Sequence, residues 1–477
     1  VSAEPHELSA AEQLSALRKG DLSSRELTAH YLERIEKFDG GLGAFATVVP
    51  DLAFEEAVRA DERIARGEWA PLLGLPLGIK DLYPTAGVRT TFGSAALAGF
   101  TPAADTWTVG LIRQAGAVLV GKTNTAEFGA TCYTDNDVTE RPTVTPYDTT
   151  RYASGSSGGA AAAVAAGLLP LAQAGDGAGS TRTPAAACHL VGVKPSRGLV
   201  SSSVPPTSLT ATTVEGPIAR TVEDAALLLD VMARPWSGDP DGWRAEEGFV
   251  DVVKWPTVRP LRIAVWTDPG LDGVPANPEV VRAVERAASL LRELGHEVRE
   301  VKIPAGCDDP VRLALRTLFA SSVEAAVRSL VPPERRELLL PYTRYLCAEG
   351  QTLSGQDLFA AQQVLARYAS AFLAALDGFD VALTPVTNGP PVRLGHFETG
   401  GVAAIADAML DWSAPTPWAN LTGRPAVSLP SHLDRDGLPY GVQIVGRRRE
   451  DAPLLALAAQ LERSGLWKDV HPSCWDD

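Results

Sequence analysis

Arg151 to Ser203 reads RYASGSSGGAAAAVAAGLLPLAQAGDGAGSTRTPAAACHLVGVKPSRGLVSSS, and this pattern sets the expectations for the rest of the chain. Two serine-bearing glycine clusters, Gly155-Ser156-Ser157-Gly158-Gly159 and Gly177-Ala178-Gly179-Ser180, flank a helix-forming run (Ala160 to Ala166) and a short apolar strand segment (Leu168 to Ala172). Glycine beside serine marks backbone that approaches a neighbour closely or takes dihedrals that other residues avoid. Two such turns around one helix and one strand bring both serines to one place, which describes a site. Three other readings compete. A flexible Gly/Ser linker does not alternate with compact apolar elements. A phosphate-cradling loop over Gly175 to Ser180 lacks the Gly-Lys-Ser/Thr that completes a P-loop, and Asp176 would repel the anion. Gly155-x-Ser157-x-Gly159 satisfies the nucleophile-elbow pattern of α/β-hydrolases but leaves the second cluster without a role.

Composition narrows the classes. The 477 residues are 45% hydrophobic and 21% charged, the balance of a soluble globular protein. A net charge of −15 argues against a nucleic-acid or anionic-membrane partner. The five cysteines (Cys132, Cys188, Cys307, Cys347, Cys474) are scattered, without a C-x-x-C pair or a histidine at metal-ligand spacing, and fit a reducing compartment. The N-terminal VSAEPHELSAAEQ lacks the basic and apolar regions of a signal peptide, and no run of about 18 apolar residues offers a membrane span. A cytoplasmic location is expected.

Outward from the quoted stretch, strands and helices alternate. Ser9 with Glu12 and Ser23 with Glu26 form capping boxes that open two amphipathic helices between residues 8 and 37. Leu75 to Ile79 is an apolar strand ending at Lys80; Trp107 to Ala115 reads as a helix. Ala117 to Val120 is a strand ending at Gly121-Lys122-Thr123-Asn124, and a polar loop covers Thr131 to Arg151. A helix from Val222 to Met232 is capped by Thr221. Leu261–Trp266, Glu297–Ile303, Asp380–Leu383, Ala426–Leu429 and Tyr440–Val445 read as further strands. The alternation predicts an α/β protein with a mixed, mostly parallel sheet covered by helices on both faces. One domain spans 1–477, with its core at 70–235. A mainly helical insertion at 309–376 is expected near the substrate entrance. Catalytic groups in such sheets collect at strand ends, where Lys80, Asn124 and the turn Gly177–Ser180 fall.

No histidine is a convincing base: His189 sits in an apolar segment, while His6 and His471 lie in tails. A lysine can serve when desolvation lowers its pKa, and Lys80 follows an apolar strand. The plainer reading pairs Lys80 with Asp81. Lys122 and Lys194 lack a comparable apolar approach.

From Gly155 to Ser203 the chain resembles the amidase signature family: GSSGG, an alanine run, Asp176-x-x-Gly179-Ser180, Arg182, Pro184-Ala185-Ala186 and Gly192-Val193-Lys194-Pro195 occur in the family's order. Leu75-Pro76-Leu77-Gly78-Ile79-Lys80-Asp81, Gly121-Lys122-Thr123-Asn124, Gly216-Pro217-Ile218-Ala219-Arg220-Thr221 and Gly437-Leu438-Pro439-Tyr440-Gly441 extend the resemblance over almost the whole chain. It implies hydrolysis of a carboxamide C–N bond without metal or organic cofactor. By the same resemblance Ser180 is the nucleophile, Ser156 a bridging serine after a cis Gly155–Ser156 peptide, and Lys80 the base. The N–H groups of Gly177, Ala178, Gly179 and Ser180 are the expected oxyanion hole, and Ser157 and the Asp176–Arg182 pair are expected to brace it. Ser154, Ala178 and Thr181 replace the usual Gly, Gly and Ile. Thr143-Val144-Thr145-Pro146-Tyr147-Asp148 departs from the family pattern in a way expected to reshape the pocket mouth. Thr125-Ala126-Glu127-Phe128-Gly129-Ala130-Thr131 departs from the pattern of the tRNA-dependent amidotransferases. Ala130, Thr131 and Tyr133, with Trp412–Trp418, are the expected acyl-pocket residues. The expected partner is a small-molecule amide, and the turn before Ser180 is similar to that of cyclic-amide and nylon-oligomer hydrolases. A homodimer, a transamidase component working with a partner, and a non-catalytic ligand-binding member are the further possibilities.

Overall fold

Serine caps start the first helices. Ser9 and Ser23 accept the N–H of Glu12 and Glu26, and those glutamates return the bond to the cap backbone, opening α1 (Ala10–Lys19) and α2 (Ser24–Leu42). The structure, a computed structural model, describes residues 4–201, 212–468 and 470–476; Ser202 and Ser203 of the quoted stretch lie outside them. No described helix is long and apolar enough to cross a membrane.

The strands that follow are β1 (Phe45–Val48), β2 (Pro76–Lys80), β3 (Val118–Thr123), a small hairpin of β4 (Val144–Thr145) and β5 (Asp148–Tyr152), β6 (Leu171–Asp176), β7 (Val191–Lys194) and β8 (Val214–Ala219). Next come β9 (Arg262–Val265), β10 (Glu297–Glu300), β11 (Val381–Pro385), β12 (Ala426–Leu433) and β13 (Pro439–Val445). All but the hairpin join one 11-stranded sheet in the order β1-β3-β2-β6-β8-β7-β12-β13-β11-β9-β10. The sheet is mixed, as the sequence predicts. Its parallel pairs are confined to two flanks, β3-β2-β6 and β11-β9-β10. From β6 to β11 every pairing is antiparallel, so the expected parallel majority does not hold.

The helices are α3 (Pro50–Ala65), α4 (Trp107–Gln114), α5 (Gly158–Ala165), α6 (Arg182–Ala187), α7 (Val222–Met232), α8 (Phe249–Lys254), α9 (Pro278–Glu293), α10 (Asp309–Leu330), α11 (Pro341–Thr352), α12 (Gly355–Ala375), α13 (Ile405–Ser413) and α14 (Pro417–Leu421). They cover both faces. Along β3, Leu119 joins the core with α4 and α7, while Val118 and Val120 point the other way, into the core built around α5. This double burial explains the near-continuous apolar runs of the strands. All eight residues of α5 are buried, which only small side chains at its glycine and alanine positions permit. The span 309–376 is helical, with a break at Pro332-Pro333, and its helices pack against the loop at Ala130–Tyr133.

The termini are not free tails. His6 is buried, with Nε2 3.0 Å from the Trp475 carbonyl, and His471 stacks on the Trp475 ring. Arg34 donates to the Ala166 and Gly167 carbonyls just beyond α5 and also to the Cys474 carbonyl. On the opposite face, both carboxylate oxygens of buried Asp224, in α7, accept the Ala10 and Ala11 N–H groups at 3.0 Å. Replacing Asp224 by Ala strands two helix-end donors; it is expected to cost about 1–3 kcal/mol in urea unfolding.

Candidate active site

Lys80 closes β2, held between β3 and β6. Its side chain is 1% exposed. Nζ lies 2.8 Å from Ser156 Oγ, 2.7 Å from Ser157 Oγ and 3.2 Å from the Gly175 carbonyl. No carboxylate pairs with it among the described residues. Asp81 points away: it accepts from the Thr91 N–H at 2.9 Å and faces Lys122 Nζ at 3.6 Å. The plainer Lys80–Asp81 reading is therefore wrong, because successive side chains leave the strand end on opposite faces. Burial brings the Lys80 pKa down to about 7, with Asp176 and Glu215 resisting. Glu215 is itself buried and pushed up to about 8, so it is largely protonated at neutral pH and supplies little counter-charge.

The two serine loops meet over this amine. Gly155–Ser156 is cis, and Ser157 N–H donates to the Ser180 carbonyl at 3.2 Å. Ser157 Oγ donates to the Gly175 carbonyl at 3.1 Å, so this serine holds Lys80 directly, a contact that the sequence does not reveal. The strand segment expected at Leu168–Ala172 lies later, at Leu171–Asp176, which places Asp176 at its end and Ser180 on the turn beyond.

Asp176 and Arg182 form a fully buried, two-armed ion pair, with Nε to Oδ2 at 2.9 Å and Nη2 to Oδ1 at 3.0 Å. Burial would raise the Asp176 pKa, but the adjacent guanidinium outweighs it and holds the carboxylate well below its usual range. Arg182 also donates to Gln443 Oε1, Asn420 Oδ1 and the Thr416 carbonyl. The Asp176 carboxylate accepts the N–H of Gly179 at 2.7 Å and of Thr181 at 3.3 Å. Gly179 is thereby withdrawn from the expected oxyanion donors; the N–H groups of Ala178 and Ser180 have no acceptor among the described residues. Gly179 has φ +133°, and a side chain there would strike Thr416 Oγ1. Ala178 needs no positive φ, which accounts for its departure from glycine. Ser154 does hold φ +68°, the conformation that favours the usual glycine, and its hydroxyl donates to the Cys132 carbonyl at 3.0 Å.

Ser180 lies on the rim between two cavities. One includes Ala130 and Thr131 and is walled by Leu315, Phe319, Tyr342, Met409 and Leu410. The other holds Lys80, Ser156, Gly175 and Gly177 in its wall, together with Tyr83. Tyr133 lies outside both, stacked on Phe397 at 4.9 Å and facing a separate cavity with Glu398. Trp412 and Trp418 are core residues; Ser413 and Pro417 between them reach the first cavity. Thr143–Asp148 lines neither, its hydroxyls and ring being used in hairpin and terminal contacts. Lys122 and Lys194 are as buried as Lys80, contrary to expectation, with pKa values brought down by burial to about 8 and about 7. Lys122 faces Asp81, and Lys194 Nζ donates to the Pro195 carbonyl at 2.9 Å. His189 Nε2 contacts the Lys468 carbonyl. The described residues hold no cluster of three or more His, Cys, Asp or Glu side chains suited to a metal.

Residues 26–455 match the family model described as Amidase. The chain belongs to the amidase signature family. By that membership it is an amide-hydrolysing type of enzyme. AmiB2 of Mycobacterium tuberculosis, a putative amidase by name, is 38% identical over 469 residues, 97% of each chain. The glutamyl-tRNA(Gln) amidotransferase of Desulforapulum autotrophicum has a component, its A chain, that is 33% identical over 506 residues, covering 96% of this chain and 98% of its own. The structure of 6-aminohexanoate cyclic dimer hydrolase complexed with substrate superposes with TM-score 0.90 at 27% identity, over 99% of this chain and 100% of the other.

Arg182→Ala leaves Asp176 buried and uncompensated. A loss of about 3–5 kcal/mol in chemical denaturation is expected.

Proposed function

We propose that this amidase cleaves carboxamides through an acyl intermediate on Ser180, with Ser156 and neutral Lys80 passing the proton. The 2.8 Å approach of a buried, carboxylate-free Lys80 Nζ to Ser156 Oγ carries the reading. A neutral amine has two N–H donors and one lone pair. Ser157 Oγ and the Gly175 carbonyl take the donors, leaving the lone pair for the Ser156 hydroxyl.

In acylation Ser180 Oγ attacks the carbonyl carbon, its proton moves to Ser156 Oγ, and the Ser156 proton moves to Lys80 Nζ. Backbone N–H groups of Gly177, Ala178 and Ser180 would stabilise the oxyanion. Return of the proton through Ser156 to the departing nitrogen breaks the C–N bond and releases the amine. Water then takes the amine's place, and the same relay frees the acid. The nitrogen has to lie on the Ser156 side, which assigns the acyl group to the apolar cavity. Its walls favour apolar acyl groups of small-molecule amides, linear or cyclic, and the likeness to 6-aminohexanoate cyclic dimer hydrolase supports that class. Leu315 and Phe319 of α10 and Tyr342 of α11 make the helical span 309–376 one wall of the substrate entrance. The absence of disulfides among the five cysteines fits a cytoplasmic enzyme.

A fluorophosphonate probe followed by peptide mapping tests the assignment. Modification of Ser180, lost in Lys80→Ala, is expected; an adduct on Ser157 overturns it. Ser180→Ala is expected to lower kcat by about 10⁴-fold or more. Because burial disfavours the Lys80 ammonium, the active form is the unprotonated one. For a neutral amide, kcat/KM should therefore fall about tenfold per unit as pH drops below about 7, and level off above it.

A further inference from the structure

Tyr83 follows Lys80 by one tight turn, its N–H donating to the Lys80 carbonyl at 3.1 Å. Its ring packs against the main core, and its hydroxyl lies directly over Gly175, where an added side-chain carbon would collide with it. Gly175 is the residue whose carbonyl accepts from Lys80 Nζ. The phenol oxygen therefore stands beside the relay, on the wall of the cavity that Lys80, Ser156 and Ser180 share. No hydrogen bond to Tyr83 Oη exists among the described residues. A hydroxyl stripped of water on its ring side and left unpaired costs about 1–3 kcal/mol, so its partner has to come from the cavity. Burial, with Glu215 and Asp176 adding to it, holds the phenol pKa well above its usual value, and the group stays a neutral hydroxyl able to donate and accept.

The acyl-serine reading, on which this inference rests, requires the departing nitrogen to face Ser156. That places it in the cavity that Tyr83 lines. We infer that Tyr83 Oη is the polar contact for the leaving side of the scissile bond, accepting the N–H of the departing nitrogen in acylation. The water that attacks the acyl-enzyme enters the same position, and there Oη accepts one of its O–H groups while Ser156 takes the other proton. Tyr83 thus distinguishes an amide, which has a nitrogen to hold, from an ester of the same acid, which has none. Phe128 and the side chains of Leu318 and Val323 supply the apolar remainder of this wall, so small or apolar amines fit it.

Tyr83→Phe keeps the ring and removes only Oη. The test compares hexanoyl 4-nitroanilide with 4-nitrophenyl hexanoate and measures the rate of fluorophosphonate labelling of Ser180. The expected result is a fall of about tenfold in kcat/KM for the anilide, the worth of one hydrogen bond. Ester kcat/KM and labelling should stay within about twofold, while ester turnover limited by deacylation falls like the anilide rate. Equal losses for anilide and ester in kcat/KM, or no loss for either, would overturn the inference. A merely space-filling ring cannot produce the split. An unlabelled wild-type enzyme would overturn the acyl-serine reading and this inference with it; normal labelling with an unchanged anilide rate overturns this inference alone.

Discussion

The buried Asp176–Arg182 pair is the constraint on which the site depends. Two charges taken out of water are tolerated only when every donor and lone pair is engaged. Here β6, α6, α14 and β13 converge to meet that demand through Asp176, Arg182, Asn420 and Gln443. The same carboxylate takes the N–H groups of Gly179 and Thr181, which fixes the turn carrying Ser180 and decides which amides remain for a substrate. Its negative charge also opposes the desolvation of Lys80. Geometry and proton affinity at the site are therefore set by one interaction, and neither can be adjusted without the other.

Much of the fold was legible because local signals agreed with tertiary structure. Capping boxes opened α1 and α2, and apolar runs marked β2 and β3. The direction of strand pairing was less legible. Val214–Ala219 contains Gly216-Pro217, residues that weaken any strand signal, yet β8 sits between β6 and β7 and turns the middle of the sheet antiparallel. Lys122 and Lys194 looked like strand-end charges because a sequence cannot show that Asp81 waits opposite the one and a carbonyl beside the other. The hairpin at Val144–Tyr152 was hidden for the same reason: its pairing depends on neighbours that are distant in the chain.

At the site the sequence named residue types and left their geometry open. Lys80, Ser156 and Ser180 were legible chiefly through the family motif, since spacing alone favoured an unremarkable lysine. The motif could not reveal that Ser157 touches the amine or that Gly179 is already bonded. Tyr133 was attractive as an aromatic near the motif, but its ring is committed to Phe397 and Tyr152. Tyr83 carried no signal at all. An aromatic residue three places after a lysine is ordinary, and its value comes from the bare backbone of Gly175 on a different strand.

Arg34 offers a last consequence, a kinetic one. Its guanidinium joins the exit of α5 to a carbonyl 440 positions away, and α5 begins at the serines beneath Lys80. Contacts between residues so distant in the chain form slowly, because the intervening loop must close before they return any free energy. Earlier intermediates can hold the sheet and most of its helices while this anchor is still missing. Competence for chemistry is thus acquired at the end of folding, after the body of the molecule is already in place.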